Sequence, residues 1–176
     1  MLIPSTPARQ TVVLLDTNVI IEAVRTNCWN AVAGALIAET VDECRTEALK
    51  GDTTRRGYVK VTEAHLGRLS KIHIVSDTAR ASFALAYEGA GAMDTGERAL
   101  FAHAYERAEH GDVIWVISSP DKASVRTAVA LDWDDRMVSL EGLASTVGVR
   151  PKPPLDDHHK QRWLATYRTQ YRLEGK

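Results

Sequence analysis

Four acidic side chains stand where apolar runs stop or helical runs start: Asp16, Glu43, Glu97 and Asp121. Asp16 directly follows Val12 to Leu15 in "TVVLLDTNVI", and Asp121 follows "VIWVIS" after Ser119 and Pro120. Glu43 lies near the start of "VDECRTEAL", and Glu97 opens "MDTGERAL" with Asp94 three residues ahead of it. Two like charges about 4 Å apart cost roughly 4 kcal/mol at an effective dielectric near 20. If these acids converge, they therefore need protons or a cation among them. A cluster without cysteine, and without histidine beside it in sequence, suits a hard ion, Mg²⁺ or Mn²⁺. Such an ion turns bound water into a nucleophile and stabilises the charge of phosphodiester cleavage.

Each acid also has a structural role open to it. Asp16 and Asp121 stand where the N-cap of a following helix would be. Asp94 with Glu97 resembles a capping box. Glu43 has rivals in Glu39 and Glu47, and an acid on a helix is usually solvated. What distinguishes the set is its order along the chain and its position at element boundaries.

Those boundaries come from periodicity. Thr11 to Leu15 is short, apolar and β-branched, which predicts a buried strand. Helical spacing predicts helices over Asn18 to Arg25, Trp29 to Leu36 and Val41 to Leu49, with a loop from Lys50 to Tyr58. "KIHIV" (Lys71 to Val75) reads as a second strand, followed by a helix capped by Ser76 or Asp77 and stopped by Gly89. The helix containing "MDTGERALFAHAYERAEHGD" ends at Gly111. "DVIWVIS" (Asp112 to Ser118) is the clearest strand, and a helix from Lys122 to Leu131 follows. A last strand around "RMVSL" (Arg136 to Leu140), then a short helix through Leu143, complete the body. Strands alternating with helices predict an α/β domain with a mainly parallel sheet. In such sheets the functional crevice lies beyond the carboxyl ends of the strands, where Asp16 and Asp121 fall.

"LLDTNVII" resembles the first motif of the PIN-domain nucleases, a family that includes the VapC-type toxins. "ETVDECRTE" looks like the second acidic motif, with Glu43 at the expected place. "DTGERALFAHA" is similar to the third, with Glu97 where aspartate is common and Asp94 close enough to share or take the role. "VISSPDKA" resembles the fourth and supplies Asp121. The likeness spans roughly Thr11 to Val149. It implies a compact three-layer α/β/α PIN-like domain with a central parallel sheet. It further implies metal-dependent endonuclease activity, usually on RNA, through a water nucleophile that leaves a 5′-phosphate. Asp16, Glu43, Glu97 and Asp121, with Asp94 beside them, carry over as ligands of Mg²⁺ or Mn²⁺. Asn18, and a hydroxyl from Thr17 or Ser118, carry over as groups that orient ligands or water. Many relatives are toxins restrained by an antitoxin, and many form homodimers.

The remaining composition narrows the alternatives. The length of 176 residues suits one domain, here 1–149, with an appendage over 150–176 made of a Pro-rich linker and a basic C-terminal helix. Lys and Arg number 22 against 23 Asp and Glu, so net charge points to no partner. Beyond residue 149 the local balance turns basic, which favours a polyanion only weakly. No apolar run is long enough to span a membrane and no signal-peptide pattern opens the chain, so a cytoplasmic protein is expected. Cys28 and Cys44 read as small core residues. Arg55, Arg56 and Lys60 are candidates for holding RNA phosphates. Trp163, Tyr167 and Tyr171 form one helical face that packs on the body or a partner rather than stacking on bases. His158 and His159 sit in the polar linker, and His65, His73, His103 and His110 lack triad spacing with serine or cysteine. The function expected is a divalent-metal-dependent endoribonuclease acting on single-stranded RNA, the toxin of a toxin–antitoxin pair. A non-catalytic RNA- or protein-binding module on the same fold is the first alternative. A phosphotransferase using Asp16 as nucleophile is the second, weakened because Asp16 is followed by "TN", with no second aspartate nearby to act as acid or base.

Overall fold

The computed structural model describes residues 11–51, 58–111 and 114–175. Its centre is a four-stranded, all-parallel sheet. In chain order the strands are β1 (Val12–Leu15), β2 (Ile37–Val41), β3 (Lys71–His73) and β4 (Trp115–Ser118), and they lie side by side as β3-β2-β1-β4. The helices are α1 (Thr17–Arg25), α2 (Trp29–Ala35), α3 (Asp42–Lys50), α4 (Glu63–Leu66), α5 (Asp77–Ala86), α6 (Thr95–His110), α7 (Lys122–Ala130), α8 (Leu140–Thr146) and α9 (Gln161–Glu174).

Strand alternation separates two cores. Val12 and Leu14 of β1 face one side with Val41, Trp115 and Ile117, packed against Phe83 of α5 and Leu100 and Phe101 of α6. Val13 and Leu15 face the other, against Ile20 of α1, Trp29 and Val32 of α2, and Leu140 of α8. A sheet covered on both faces needs strands that are apolar throughout, and β1 is buried at all four positions. This is the three-layer α/β/α arrangement. Among the described residues no helix is long and apolar enough to cross a membrane.

Three expected elements differ. β2, "IAETV", reads in sequence as the gap between two helices because Glu39 and Thr40 interrupt its apolar pattern. It is nonetheless a central strand: Thr40 donates to the Leu15 carbonyl at 2.6 Å, and Glu39 is held by cations described below. Arg136 to Leu140 does not form a strand. Its sheet contact is a single bridge, Ile117 with Met137, because Ser139 already caps α8 by accepting from the Gly142 amide at 3.0 Å. The helix expected to reach Gly89 ends at Ala86, and a short 3₁₀ turn, Glu88–Ala92, leads into α6.

The segment after Val149 is fastened to the body. Lys152 donates its amide to the Thr26 carbonyl at 2.8 Å, Asn27 Nδ2 donates to the Lys152 carbonyl at 2.7 Å, and the Asp156 amide donates to Glu22 Oε1 at 2.8 Å. Leu155, Leu164 and Tyr171 are buried. Along α9, Lys122 lies over the Tyr167 ring at 4.5 Å and Arg126 over Tyr171 at 4.7 Å, so this aromatic face covers α7.

Candidate metal centre

Parallel pairing of β1 with β4 places Leu15 level with Ser118, and the Asp16 amide donates to the Ser118 carbonyl at 3.0 Å. Asp16 therefore emerges at the carboxyl end of the two central strands. It occupies the N-cap position of α1 but makes no side-chain cap bond. Its carboxylate turns inward instead: Ser119 Oγ donates to Oδ2 at 3.4 Å, and Cys44 Sγ lies 3.9 Å from Oδ1. Burial drives the Cys44 thiol well above its ordinary range, with the charge of Asp16 adding to it.

The other acids arrive from three helices. Glu97, in the first turn of α6, accepts from Ser124 Oγ at 2.8 Å, and Ser124 lies 3.0 Å from Ser119 Oγ. Two serines thus lie between Asp16 and Glu97, and with Ser124 donating to Glu97 the single Ser119 hydroxyl proton serves either Asp16 or Ser124. Asp94 caps α6 by accepting from the Glu97 amide at 2.8 Å, and Asp121 caps α7 by accepting from the Ala123 amide at 2.7 Å. Each commits only Oδ1 to its cap, so capping and a role in the cluster coexist. Glu47 completes the set. Its Oε2 accepts from Thr17 Oγ1 at 2.9 Å, and its carboxylate lies against Gly96, where an added Cβ would come within 2.5 Å.

Glu43 does not join them. One turn before Glu47 on α3, its Oε1 accepts from Arg80 of α5. Glu47, one of the two rivals of Glu43 in the sequence, is the α3 acid whose charge reaches Asp16. The supporting residues divide. Thr17 positions Glu47, Ser118 is buried with its Oγ unpartnered, and Asn18 is exposed. Lys60 is exposed, and Arg55 and Arg56 lie outside the described residues. Sequence reasoning missed Ser119 and Ser124, because the bonds that recruit them join residues distant in the chain.

The electrostatics match the geometry. Burial raises the Asp16 carboxyl from 3.8 to about 7, with the charges of Asp94 and Glu47 adding to it and the Thr17 and Asn18 amides opposing. Burial likewise raises Glu97 to about 8, reinforced by Asp121, Asp16 and Asp94 and opposed by the Ser124 hydroxyl. Elsewhere buried acids are neutralised: Glu22 by Arg25, Glu39 by Arg107, Asp134 by Arg172. Among the described residues, none of Asp16, Glu47, Asp94, Glu97 and Asp121 has a basic partner within ion-pair distance. An all-carboxylate set with no basic partner among the described residues has the donor chemistry of a hard divalent ion, although no three of its residues bring ligand oxygens within 4.8 Å of one another. Beside it opens a cleft of roughly 520 Å³, bordered by Asn18, Arg25, Asp121, Lys122, His158 and Trp163.

A second group has different chemistry. Glu39 of β2, His73 of β3 and His103 of α6 bring one potential ligand atom each within 4.8 Å of one another. No local pattern signals it, since its members lie on three separate elements. No family model, curated protein or solved structure matches this chain.

Proposed function

We propose that this chain is a divalent-metal-dependent endoribonuclease of PIN-like type, acting on single-stranded RNA, with Asp16, Glu47, Asp94, Glu97 and Asp121 as its metal-holding carboxylates. The observation that supports this best is that Asp16, Glu47, Asp94, Glu97 and Asp121 lie close enough for their charges to raise the buried Asp16 and Glu97 carboxyls, with no basic partner among the described residues. When bound there, Mg²⁺ or Mn²⁺ supplies a water of lowered pKa and neutralises phosphate charge.

The chain's own residues supply position. Thr17 fixes Glu47, and the Ser119–Ser124 pair fixes the spacing of Asp16 and Glu97. The two caps orient Asp94 and Asp121 by anchoring one oxygen of each. The neighbouring cleft carries Lys122 on its wall, a cation suited to a phosphate backbone leading to the acids, whereas Arg25 in the same cleft is committed to Glu22. Catalysis then comes from orientation and charge, with no covalent step on the protein.

The test is labelled single-stranded RNA with Mn²⁺, with and without chelator, using the wild type and Asp16→Asn. Cleavage that needs the ion and Asp16 supports the proposal; cleavage indifferent to both refutes it. Tight binding without cleavage returns the non-catalytic module. The toxin assignment rests on the resemblance of "LLDTNVII" to the PIN nucleases. Growth arrest on expression that Asp16→Asn abolishes supports it.

A further inference from the structure

The group under α6 is unlike the acid cluster in every respect that governs metal choice. Glu39 and His73 point to the same face of the sheet, since β2 and β3 pair Glu39 with Lys71 and Val41 with His73. α6 crosses that face and brings His103 down onto it. His73 Nε2 lies 2.7 Å from Glu39 Oε2, and the His73 and His103 rings stack with centroids 4.0 Å apart at 27°. His103 is 93 % buried, and its Nε2 has no hydrogen-bond partner. Arg107, one turn further along α6, donates to Glu39 Oε2 at 3.0 Å. A buried ring nitrogen without a partner loses hydrogen bonding that water would give it. Two imidazoles stacked face to face over one carboxylate do little to offset that loss.

We propose that Glu39, His73 and His103 form a second metal site, selective for a borderline divalent transition ion such as Zn²⁺ rather than for Mg²⁺. Two nitrogens and one carboxylate oxygen make the donor set of such ions, whereas Mg²⁺ prefers oxygen and water throughout. The ligand atoms need only modest contraction. Donors about 2.0–2.1 Å from an ion lie roughly 3.3 Å apart in a tetrahedron, against a present spread of up to 4.8 Å. Rotation of the two rings out of their stack, each lone pair turning toward a common point, would draw the three donors together. If His73 carries a proton on Nε2, binding releases that proton to solvent. Arg107 remains on the carboxylate as the outer donor that orients it. The ion would tie β2, β3 and α6 together. β2 runs directly into α3, which carries Glu47, and α6 carries Glu97, so the clamp lies beneath two members of the acid cluster.

The experiment uses the full chain, stripped with chelator and returned to buffer containing excess Mg²⁺ to fill the acid cluster. Co²⁺ and Zn²⁺ are then titrated. Visible absorption reports nitrogen ligation of Co²⁺, and melting temperature reports the clamp with Zn²⁺. The expected result is one equivalent of either ion, unchanged in Asp16→Asn. The affinity should fall by more than about 10–100-fold in His103→Gln, because losing an outer-shell partner alone has that effect. His73→Gln, at a half-buried position, gives the same readout should His103→Gln fail to fold. The proposal is overturned if the wild type takes up neither ion, if both histidine variants bind as the wild type does, or if Asp16→Asn abolishes binding.

Discussion

Replacing Asp16 with asparagine should make the metal-free protein more stable above neutral pH while abolishing cleavage. In the ion-free fold the Asp16 carboxyl sits near 7 against an ordinary 3.8, chiefly because the side chain is buried. A rise of about three units corresponds to roughly 4 kcal/mol at about 1.4 kcal/mol per unit. The sign follows from proton counting. Below about pH 4 the carboxyl is protonated in both the folded and the unfolded chain and carries no penalty. Between about 4 and 7 the unfolded chain ionises while the folded one keeps its proton, so stability falls as pH rises. Above about 7 the folded site is ionised too, and the full penalty is present.

Asparagine cannot ionise and so escapes that penalty, but its amide makes poorer use of Ser119 and Cys44. Setting about 1–2 kcal/mol against it for imperfect hydrogen bonding leaves a net gain of roughly 2–3 kcal/mol at pH 8. For a chain of this size that is about 4–12 °C in melting temperature. The assay is thermal melting in chelator from pH 4 to 8, wild type beside variant, repeated with Mg²⁺. The wild-type curve should fall more steeply, the gap closing near pH 4. Glu97 keeps some pH dependence in both proteins, its own carboxyl being raised to about 8. Added Mg²⁺ should stabilise the wild type and do little for the variant, since an ion that binds only the folded state stabilises it in proportion to its occupancy. Parallel curves, or a variant that melts below the wild type at pH 8, would show that Asp16 is not held at an electrostatic cost, and the metal reading would lose its main physical support.

Three further outcomes separate the members of the cluster. Glu47→Gln should reduce cleavage by at least about 100-fold, the scale of a lost charge-stabilising group, while Glu43→Gln, which removes only a partner of Arg80, should leave the rate within a few-fold and lower the melting temperature slightly. Gly96→Ala should fold normally yet lose activity, because the new methyl meets Glu47 Oε2, the mobile end of a side chain that moves aside; wild-type kinetics in this variant would place Glu47 outside the site. Ser124→Ala removes the donor that lowers the Glu97 carboxyl, so the pH at which metal-free stability levels off should move upward, as read from the same melting series.

How much of this was readable from the sequence depends on where the determining interactions lie. β1 and β4 were legible because a strand buried on both faces must be apolar at consecutive positions, and Val12 to Leu15 and Trp115 to Ile117 meet that need locally. Asp16 and Asp121 followed from them, as the first acids beyond those runs. β2 was illegible for the opposite reason. Glu39 is a buried carboxylate in a central strand, tolerable only because Arg107, 68 residues later, and His73 surround it. Glu43 and Glu47 were not separable in sequence for the same reason. Both lie on one side of α3 at helical spacing, so periodicity treats them alike. What separates them is that Arg80 of α5 reaches the first and Thr17 of α1 reaches the second. The residues that decide the chemistry are thus set apart from their neighbours by distant partners, and the Asp16–Ser119–Ser124–Glu97 chain is the extreme case. Asp16, the Ser119 and Ser124 pair, and Glu97 fall in three separate stretches of the chain, brought together by hydrogen bonds that no local pattern encodes.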